Sequence, residues 1–349
     1  MFSRIAVARP WVSIRRATRR CASWNPGPSE SDSVMTTCLI TGGAGNLACQ
    51  LTWSLVDRFD RVVLLDVAPG PIGPISPAAA FERGDLLDAR GLESVFERHE
   101  PAAVIHLASL LSGSCEQDRS RAWQVNMDGT FGLFEAAVAH GKPTVLFASS
   151  VAAFGGQLPE VLTDDTPQWP STLYGVTKMA AERLGAYYHE RHGLDFRCLR
   201  LPITISRHAP AGAASALASH AFLETVRSGR FTFAARPETK LAAIYVRDVL
   251  RAFVGLLAAS DACLTRRVYN IGGFTTTPGE IAAAIKSRVP EASLGFSPDD
   301  SVDRMLAAWP GVIDDEAARR DWQWRPEWNL DRTADDFLST LRAEAGGTS

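Results

Sequence analysis

Tyr174 and Lys178 stand four residues apart in Tyr-Gly-Val-Thr-Lys, within a stretch of helical periodicity, and that spacing puts a phenol and an ammonium on one helix face. A tyrosine with a reference pKa of about 10 is a poor base at neutral pH, but an adjacent ammonium and a second positive charge would favour the phenolate. Such a pair can accept the proton of an alcohol. Ser149-Ser150 closes the apolar run 145–148, where a hydroxyl could hold the alcohol oxygen as it becomes a carbonyl. Surface helices produce Tyr-x-x-x-Lys by chance, so the reading depends on what accompanies it.

What accompanies it is the run Thr41-Gly42-Gly43-Ala44-Gly45-Asn46-Leu47-Ala48, between an apolar β-rich segment and a helical one. Glycines at 42 and 45 permit a tight turn and let backbone N–H groups approach a pyrophosphate at the positive end of a helix. Ala48 takes the third position, where close helix–strand packing tolerates it. Asp66 closes the next β-rich run, 21 residues after Gly45, where a carboxylate can accept from an adenosine ribose 2′-hydroxyl and would repel a 2′-phosphate. The expected cofactor is therefore NAD rather than NADP. Asp85 and Leu86, in Gly-Asp-Leu after a third run, would lie beside the adenine, with an ordinary helix cap as the other reading of Asp85.

These residues need a scaffold, and the chain supplies one. Apolar, β-rich runs at 37–40, 61–65, 103–106, 144–148 and 196–201 alternate with segments of 3.6-residue periodicity at 47–58, 91–99, 120–140 and 174–192. Alternation of this kind implies right-handed β-α-β units and a parallel sheet. Beyond residue 201 the pattern loosens, with a Gly/Ala/Ser-rich stretch at 209–219, a helix near 221–228 and strands near 231–234 and 242–245. The fold class is α/β: a Rossmann-type doubly wound parallel sheet with a smaller C-terminal substrate-binding lobe. Residues 35–203 form the NAD-binding domain, and 204–349 form mainly the lobe, with 240–275 returning to the first domain.

Composition narrows the function. The 349 residues are 46% apolar and 21% charged, with net charge −3, ordinary values for a globular chain. No Lys/Arg block lies outside the first 20 residues, which argues against a nucleic-acid partner. No apolar stretch is long enough to span a membrane. The seven histidines show no metal-ligand spacing, so no metal is expected. His106, at a strand end, reads as a packed residue, and Trp322 and Trp324 as packing anchors. Six scattered cysteines without a C-x-x-C pair read as buried thiols of a reducing compartment. Residues 1–34 carry six arginines and two acids and have the composition of a transit peptide. With only four lysines among 36 basic residues, an arginine-rich upstream extension before Met35 is the preferred reading. Without it the net charge is −7. The expected location is cytoplasmic, or mitochondrial if the segment is a genuine transit peptide, and its deletion should leave activity unchanged.

In order, Thr41-Gly42-Gly43-Ala44-Gly45, Asp66, Gly84-Asp85-Leu86, His106-Leu107-Ala108-Ser109, Asn126 in Val-Asn-Met-Asp-Gly-Thr, Ser149-Ser150, Tyr174/Lys178 and Arg200-Leu201-Pro202 resemble the extended short-chain dehydrogenase/reductase family. The resemblance runs from residue 37 to about 341. It implies Tyr174 as base, Ser150 as the partner hydroxyl, and Lys178 as the group that binds the nicotinamide ribose and lowers the tyrosine pKa. It also implies a cofactor site of Gly42, Gly45, Asn46, Leu47, Asp66, Asp85, Leu86, Leu107, Ala108, Ser109, Asn126, Ser149, Tyr174, Lys178 and Pro202.

Within the family, Leu110-Leu111-Ser112-Gly113, Ala122-Trp123-Gln124-Val125-Asn126, Pro170-Ser171-Thr172-Leu173-Tyr174-Gly175 and Asp321-Trp322-Gln323-Trp324 look like the epimerase-like L-threonine 3-dehydrogenases. Pro202-Ile203 and Gly212-Ala213-Ala214-Ser215 depart from that group and look more like D-erythronate dehydrogenase. Both oxidise a secondary alcohol near a carboxylate, so the expected enzyme is an NAD-dependent dehydrogenase of a small hydroxy acid. Ser112, Ser150, Tyr174 and Ser215 would touch the substrate, with a loop-capping role as the other reading of Ser112. Ser219 is a further candidate contact, and the alanines at 213 and 214 should make L-threonine a poorer substrate than another hydroxy acid. The rivals are a sugar-nucleotide epimerase or dehydratase using the same residues and a non-catalytic NAD sensor, which the intact Ser150, Tyr174 and Lys178 disfavour. The resemblance also implies a homodimer through 120–140 and 174–192, carrying Leu133, Val138, Met179 and Leu184.

Overall fold

A computed structural model describes residues 36–209, 214–307 and 309–346. The expectations for residues 1–34 and for 210–213 of the 209–219 stretch lie outside the described residues. From the first strand the chain alternates: β1 (Thr37–Thr41), α1 (Asn46–Leu55), β2 (Arg61–Asp66), β3 (Ala79–Arg83), α2 (Ala89–His99), β4 (Pro101–His106), α3 (Ser112–Gln117), α4 (Arg119–Trp123), α5 (Gly129–Ala139), β5 (Thr144–Ser150), the short β6 (Val161–Leu162), α6 (Leu173–His192), β7 (Phe196–Leu201) and β8 (Ile203–Ile205). Then follow α7 (Leu217–Ser228), β9 (Arg230–Phe233), β10 (Leu241–Tyr245), α8 (Val246–Ala258) and β11 (Val268–Asn270). The tail adds β12 (Phe274–Thr276), α9 (Pro278–Lys286), β13 (Ser293–Phe296), α10 (Asp300–Ala307), β14 (Val312–Ile313), α11 (Glu316–Trp322) and α12 (Leu330–Gly346).

Seven strands form one parallel sheet in the order β11-β7-β5-β4-β1-β2-β3. The order reverses between β1 and β4, and ligands of open α/β sheets bind at such a switch point, outside the carboxyl ends of the strands. β1, Thr-Cys-Leu-Ile-Thr, is buried along its whole length, as a strand covered on both faces must be. Leu51, Leu55, Val249, Phe253 and Leu256 cover one face. Phe96, Leu133, Phe134, Tyr188 and Phe196 cover the other. Separate small sheets, β12-β10-β8 and β13-β9, pack with α7, α9 and α12 around Phe222, Phe233, Ile285 and Phe337 in a third core. α8 and β11 return to the large sheet.

Local differences from the sequence reading have physical causes. The periodic stretch 120–140 reads as one helix, but a π-turn spans Gln124–Asp128 between α4 and α5. Such turns are frequent at functional sites, and this one carries Asn126, whose amide is tied to neighbouring segments. Cys38, Cys49, Cys115 and Cys198 are the expected buried thiols. Cys263 departs from that reading in being half-buried.

Candidate active site

The glycine-rich turn sits at the carboxyl end of β1, where Gly42 has φ +70°. A Cβ at Gly42 would lie 2.6 Å from the backbone nitrogen of Ala108, so a side chain is excluded by backbone angle and by space together. Gly45 is the N-cap residue of α1 and no side chain caps that helix, which leaves its first-turn N–H groups for an anion. The Ala44 N–H donates to Asp66 Oδ2 at 3.0 Å and the Ala68 N–H donates to Oδ1 at 3.0 Å. The Asp66 carboxylate is thereby fixed at the end of β2, beside the turn. An uncapped helix end, a glycine turn and an acid at the second strand end are the donor and acceptor set an NAD pyrophosphate and adenosine ribose require. The residues fit that cofactor.

Asp85 accepts from the Leu87 N–H at 3.0 Å, while α2 is capped by Asp88, which accepts from the Gly91 N–H. The helix-cap reading of Asp85 is therefore corrected. Leu86 lies against the start of α5, with its Cβ 3.3 Å from where a Cβ on Gly129 would be. The Leu107 N–H donates to Thr41 O at 3.1 Å, which holds the 107–109 segment against the turn. Asn126 knits that segment to α6: its Oδ1 accepts from the Leu110 N–H at 2.8 Å and from Ser109 Oγ at 3.2 Å, and its Nδ2 donates to Thr177 Oγ1 at 3.1 Å. Pro202 is buried between β7 and β8.

Ser150 ends β5 and Tyr174 occupies the first turn of α6, whose N-cap Thr172 accepts from the Gly175 N–H at 3.1 Å. Burial pushes the Tyr174 phenol up to about 12, and the neighbouring Ser150 hydroxyl offsets part of that rise. The sequence reading expected two positive charges to lower it. The chain supplies one, Lys178, whose Nζ stands 5.5 Å from the Tyr174 ring centroid and donates to Ala148 O at 2.8 Å. Desolvation sets the direction, and the phenol is raised rather than lowered. Burial also brings Lys178 itself down to about 8.

His106 is bonded at both ring nitrogens, to Thr41 Oγ1 at 2.7 Å and Thr130 Oγ1 at 2.9 Å, and burial holds it down to about 3. It is a neutral packed residue, as expected. Ser149 is turned away from the cleft reading: its hydroxyl donates to Glu182 Oε1 at 2.5 Å. Ser112 is exposed at the start of α3, and Ser215 is exposed on the turn Ala214–Ala216. Ser219 is not a substrate contact; it is fully buried, accepting from the Ser206 N–H at 3.0 Å. The sequence reading missed Glu182, although it stands four residues beyond Lys178 on the same helix face. No metal-competent group of His, Cys, Asp or Glu occurs among the described residues.

A doubly wound sheet with a dinucleotide turn at its switch point and a Ser/Tyr/Lys cluster at its carboxyl edge defines a pyridine-nucleotide oxidoreductase of the extended short-chain type. The chain belongs to the NAD dependent epimerase/dehydratase family, whose model matches residues 38–272. It is 34% identical over 315 residues to the mitochondrial L-threonine 3-dehydrogenase of Sus scrofa, covering 89% of this chain and 84% of that protein. The holo structure of a GalE-like L-threonine dehydrogenase from Cupriavidus necator superposes with a TM-score of 0.82 at 33% identity, over 87% of this chain and 99% of the other. A nucleoside-diphosphate-sugar epimerase from Agrobacterium tumefaciens superposes with a TM-score of 0.80 at 26% identity, over 93% and 99%. The protein is an NAD-dependent oxidoreductase.

Proposed function

We propose that the chain oxidises the secondary alcohol of a small hydroxy acid, a β-hydroxy amino acid of the L-threonine type first and a sugar acid second. The observation that carries this reading is the Ser150 hydroxyl set beside the Tyr174 phenol, with Lys178 buried one turn further along α6 on Ala148 O. Tyr174 takes the proton of the substrate hydroxyl while Ser150 holds its oxygen. Lys178, fixed on Ala148 O, keeps a positive charge behind the phenol. Gly42, Gly45, Asn46, Leu47 and Asp66 would hold the cofactor, with Lys178 on its nicotinamide ribose. When bound, NAD accepts the hydride from the carbinol carbon.

The test is NADH production from L-threonine, L-serine, C4 aldonic acids and UDP-sugars in parallel. NADH should accumulate with a hydroxy acid. Interconversion of a UDP-sugar with no net NADH would instead support the epimerase reading, which the Agrobacterium neighbour favours. A preference of tenfold or more for L-threonine, against the roughly 10 to 200-fold that one methyl can supply, would remove the expectation drawn from the alanines of the 209–219 stretch.

Cofactor choice gives a second expected result. Asp66→Ala should lessen the preference for NAD over NADP, because it removes an acceptor for the ribose hydroxyl and a charge that repels a 2′-phosphate. A wild-type enzyme that already prefers NADP would contradict the role given to Asp66.

The homodimer belongs to the same proposal, but with a changed face. Leu133 is fully buried in the core, and Val138 and Leu184 pack against it. The apolar groups that α5 and α6 leave exposed are Phe131 and Tyr187, with Met179 half-buried. An isologous contact would cover them. Light scattering that reports a monomer at micromolar concentration would end this reading. A cytoplasmic location is also proposed, or a mitochondrial one if residues 1–34 are a genuine transit peptide.

A further inference from the structure

We infer that Glu182, paired with Arg200 inside the protein, is a positioning residue for the proton transfer, fixing α6 against β5 and thereby setting Tyr174 and Lys178 against Ser150. This rests on the reading of Tyr174 as base.

Tyr174, Lys178 and Glu182 follow one another at four-residue spacing along α6, so all three face the sheet. The Glu182 and Arg200 side chains are 1% and 4% exposed. Both carboxylate oxygens of Glu182 are engaged: Oε1 accepts from Ser149 Oγ at 2.5 Å and Arg200 Nε at 3.0 Å, and Oε2 accepts from Gln168 Nε2 at 2.8 Å and Arg200 Nη2 at 2.8 Å. Each donor comes from a different part of the site. Ser149 immediately precedes Ser150 on β5. Gln168 lies in the loop that runs into Thr172, the cap of α6. Arg200 stands opposite Ser149 in the β5–β7 register and also donates to Asp164 O at 2.9 Å, at the start of the same loop. One carboxylate thus fixes the strand that carries the hydroxyl, the helix that carries the phenol and the loop that joins β6 to that helix.

Stability alone does not account for this arrangement. Removing two charges from water is expensive, and well-packed apolar pairs often replace buried ion pairs at no loss. What an apolar pair lacks is direction. Four polar contacts at defined angles hold a register that packing would leave free to slide, and catalysis is sensitive to such slides.

Glu182 also acts on Lys178 through its charge. The groups facing Lys178 are Tyr174 and Glu182 from α6, His106 from β4, Cys115 from α3 and Cys198 from β7. Burial keeps His106 neutral and holds both cysteines as thiols. Glu182 is the carboxylate among them, and its negative charge opposes the desolvation that brings Lys178 down to about 8.

The experiment compares Glu182→Gln, Ser149→Ala and Tyr174→Phe, each checked by thermal melting and NAD titration before the pH dependence of kcat is measured. Glu182→Gln should bind NAD within about threefold of wild type, lose about tenfold or more in kcat, and shift the alkaline limb of its pH profile to lower pH as Lys178 gives up its proton more easily. Ser149→Ala keeps both charges, so kcat should fall about threefold with the limb in place. A purely structural role for the pair would lower the melting temperature without moving the limb. A folded Glu182→Gln with wild-type kcat and an unmoved limb overturns the inference. If that variant does not fold, Ser149→Ala decides, and an unchanged kcat overturns it equally. Tyr174→Phe separates this from the parent reading: retained turnover there removes the base itself, whereas an inactive Tyr174→Phe beside an unaltered Glu182→Gln removes only Glu182.

Discussion

Tyr174→Phe should lose at least two orders of magnitude in kcat while binding NAD as wild type does. The ring stays, so its packing at the start of α6 and its 5.5 Å approach to Lys178 Nζ are kept. Only the proton acceptor beside Ser150 disappears. General-base catalysis is typically worth 10² to 10⁴, or about 3 to 5 kcal/mol of barrier. The variant's residual rate is therefore a direct reading of what the phenol contributes. Burial pushes that phenol up to about 12, so its deprotonated fraction in the protein alone is small at neutral pH and grows as pH rises toward that value. The wild-type rate should accordingly climb with pH through neutrality and level off near pH 8, where Lys178 loses its proton, and Tyr174→Phe should show no such climb. Ser150→Ala, which leaves the base in place, should be milder. Steady-state rates at saturating NAD check this, and a Phe variant above about a tenth of wild type would put the base on another residue.

The parts of this site that sequence could reveal are those whose chemistry depends on local spacing. The glycine turn, Asp66, and the four-residue step from Tyr174 to Lys178 each lie within one β-α connection or one helix face, and the strands that carry them are continuous apolar runs because both sheet faces are covered. Contacts made across the fold were not legible. Glu182 shares a helix face with Lys178, but its partners come from β5, β7 and the loop before α6, and nothing local to Glu182 announces Arg200. Ser149 and Ser150 are adjacent, and strand alternation sends one to Glu182 and the other to Tyr174; the sequence offered both for the cleft. Ser219 failed for a related reason. Its hydroxyl satisfies backbone groups at Thr204 and Ser206, a need that appears only when α7 packs on β8. The resemblance puts Leu133 on a subunit face, whereas it is buried in the core, and the helical period does not say which side of α5 the sheet lies on. The π-turn around Asn126 is invisible to periodicity because it shifts the phase by one residue while leaving both flanking helices regular.

Gly175→Ala should be nearly as damaging as loss of the phenol, although it touches no reacting group. In a helix, alanine is ordinarily favoured over glycine by about 1 kcal/mol, so an unconstrained site would gain stability. Here a Cβ would stand 2.1 Å from the carbonyl oxygen of Ala152 and 2.8 Å from Pro170 Cβ. Backbone cannot rotate out of the way as a flexible side chain can, so α6 and the turn Val151–Ala153 must separate. That turn follows Ser150 directly, and its Ala152 N–H donates to Ser150 Oγ at 3.1 Å. Separation therefore moves Ser150 away from Tyr174. A displacement of about 1 Å can cost roughly 10²-fold in rate, and kcat should fall by that order while NAD, which Gly42 and Asp66 two and three strands away would hold, should still bind. Gly132→Ala in α5 is the control, since a Cβ there meets Leu86 O at 3.8 Å, an ordinary contact; its melting temperature should hold or rise and its kcat should match wild type. Wild-type turnover in a folded Gly175→Ala would mean that the reaction does not depend on the close approach of α6 to the strand end, and the Ser150–Tyr174 pair would lose its place as the carrier of the proposed chemistry.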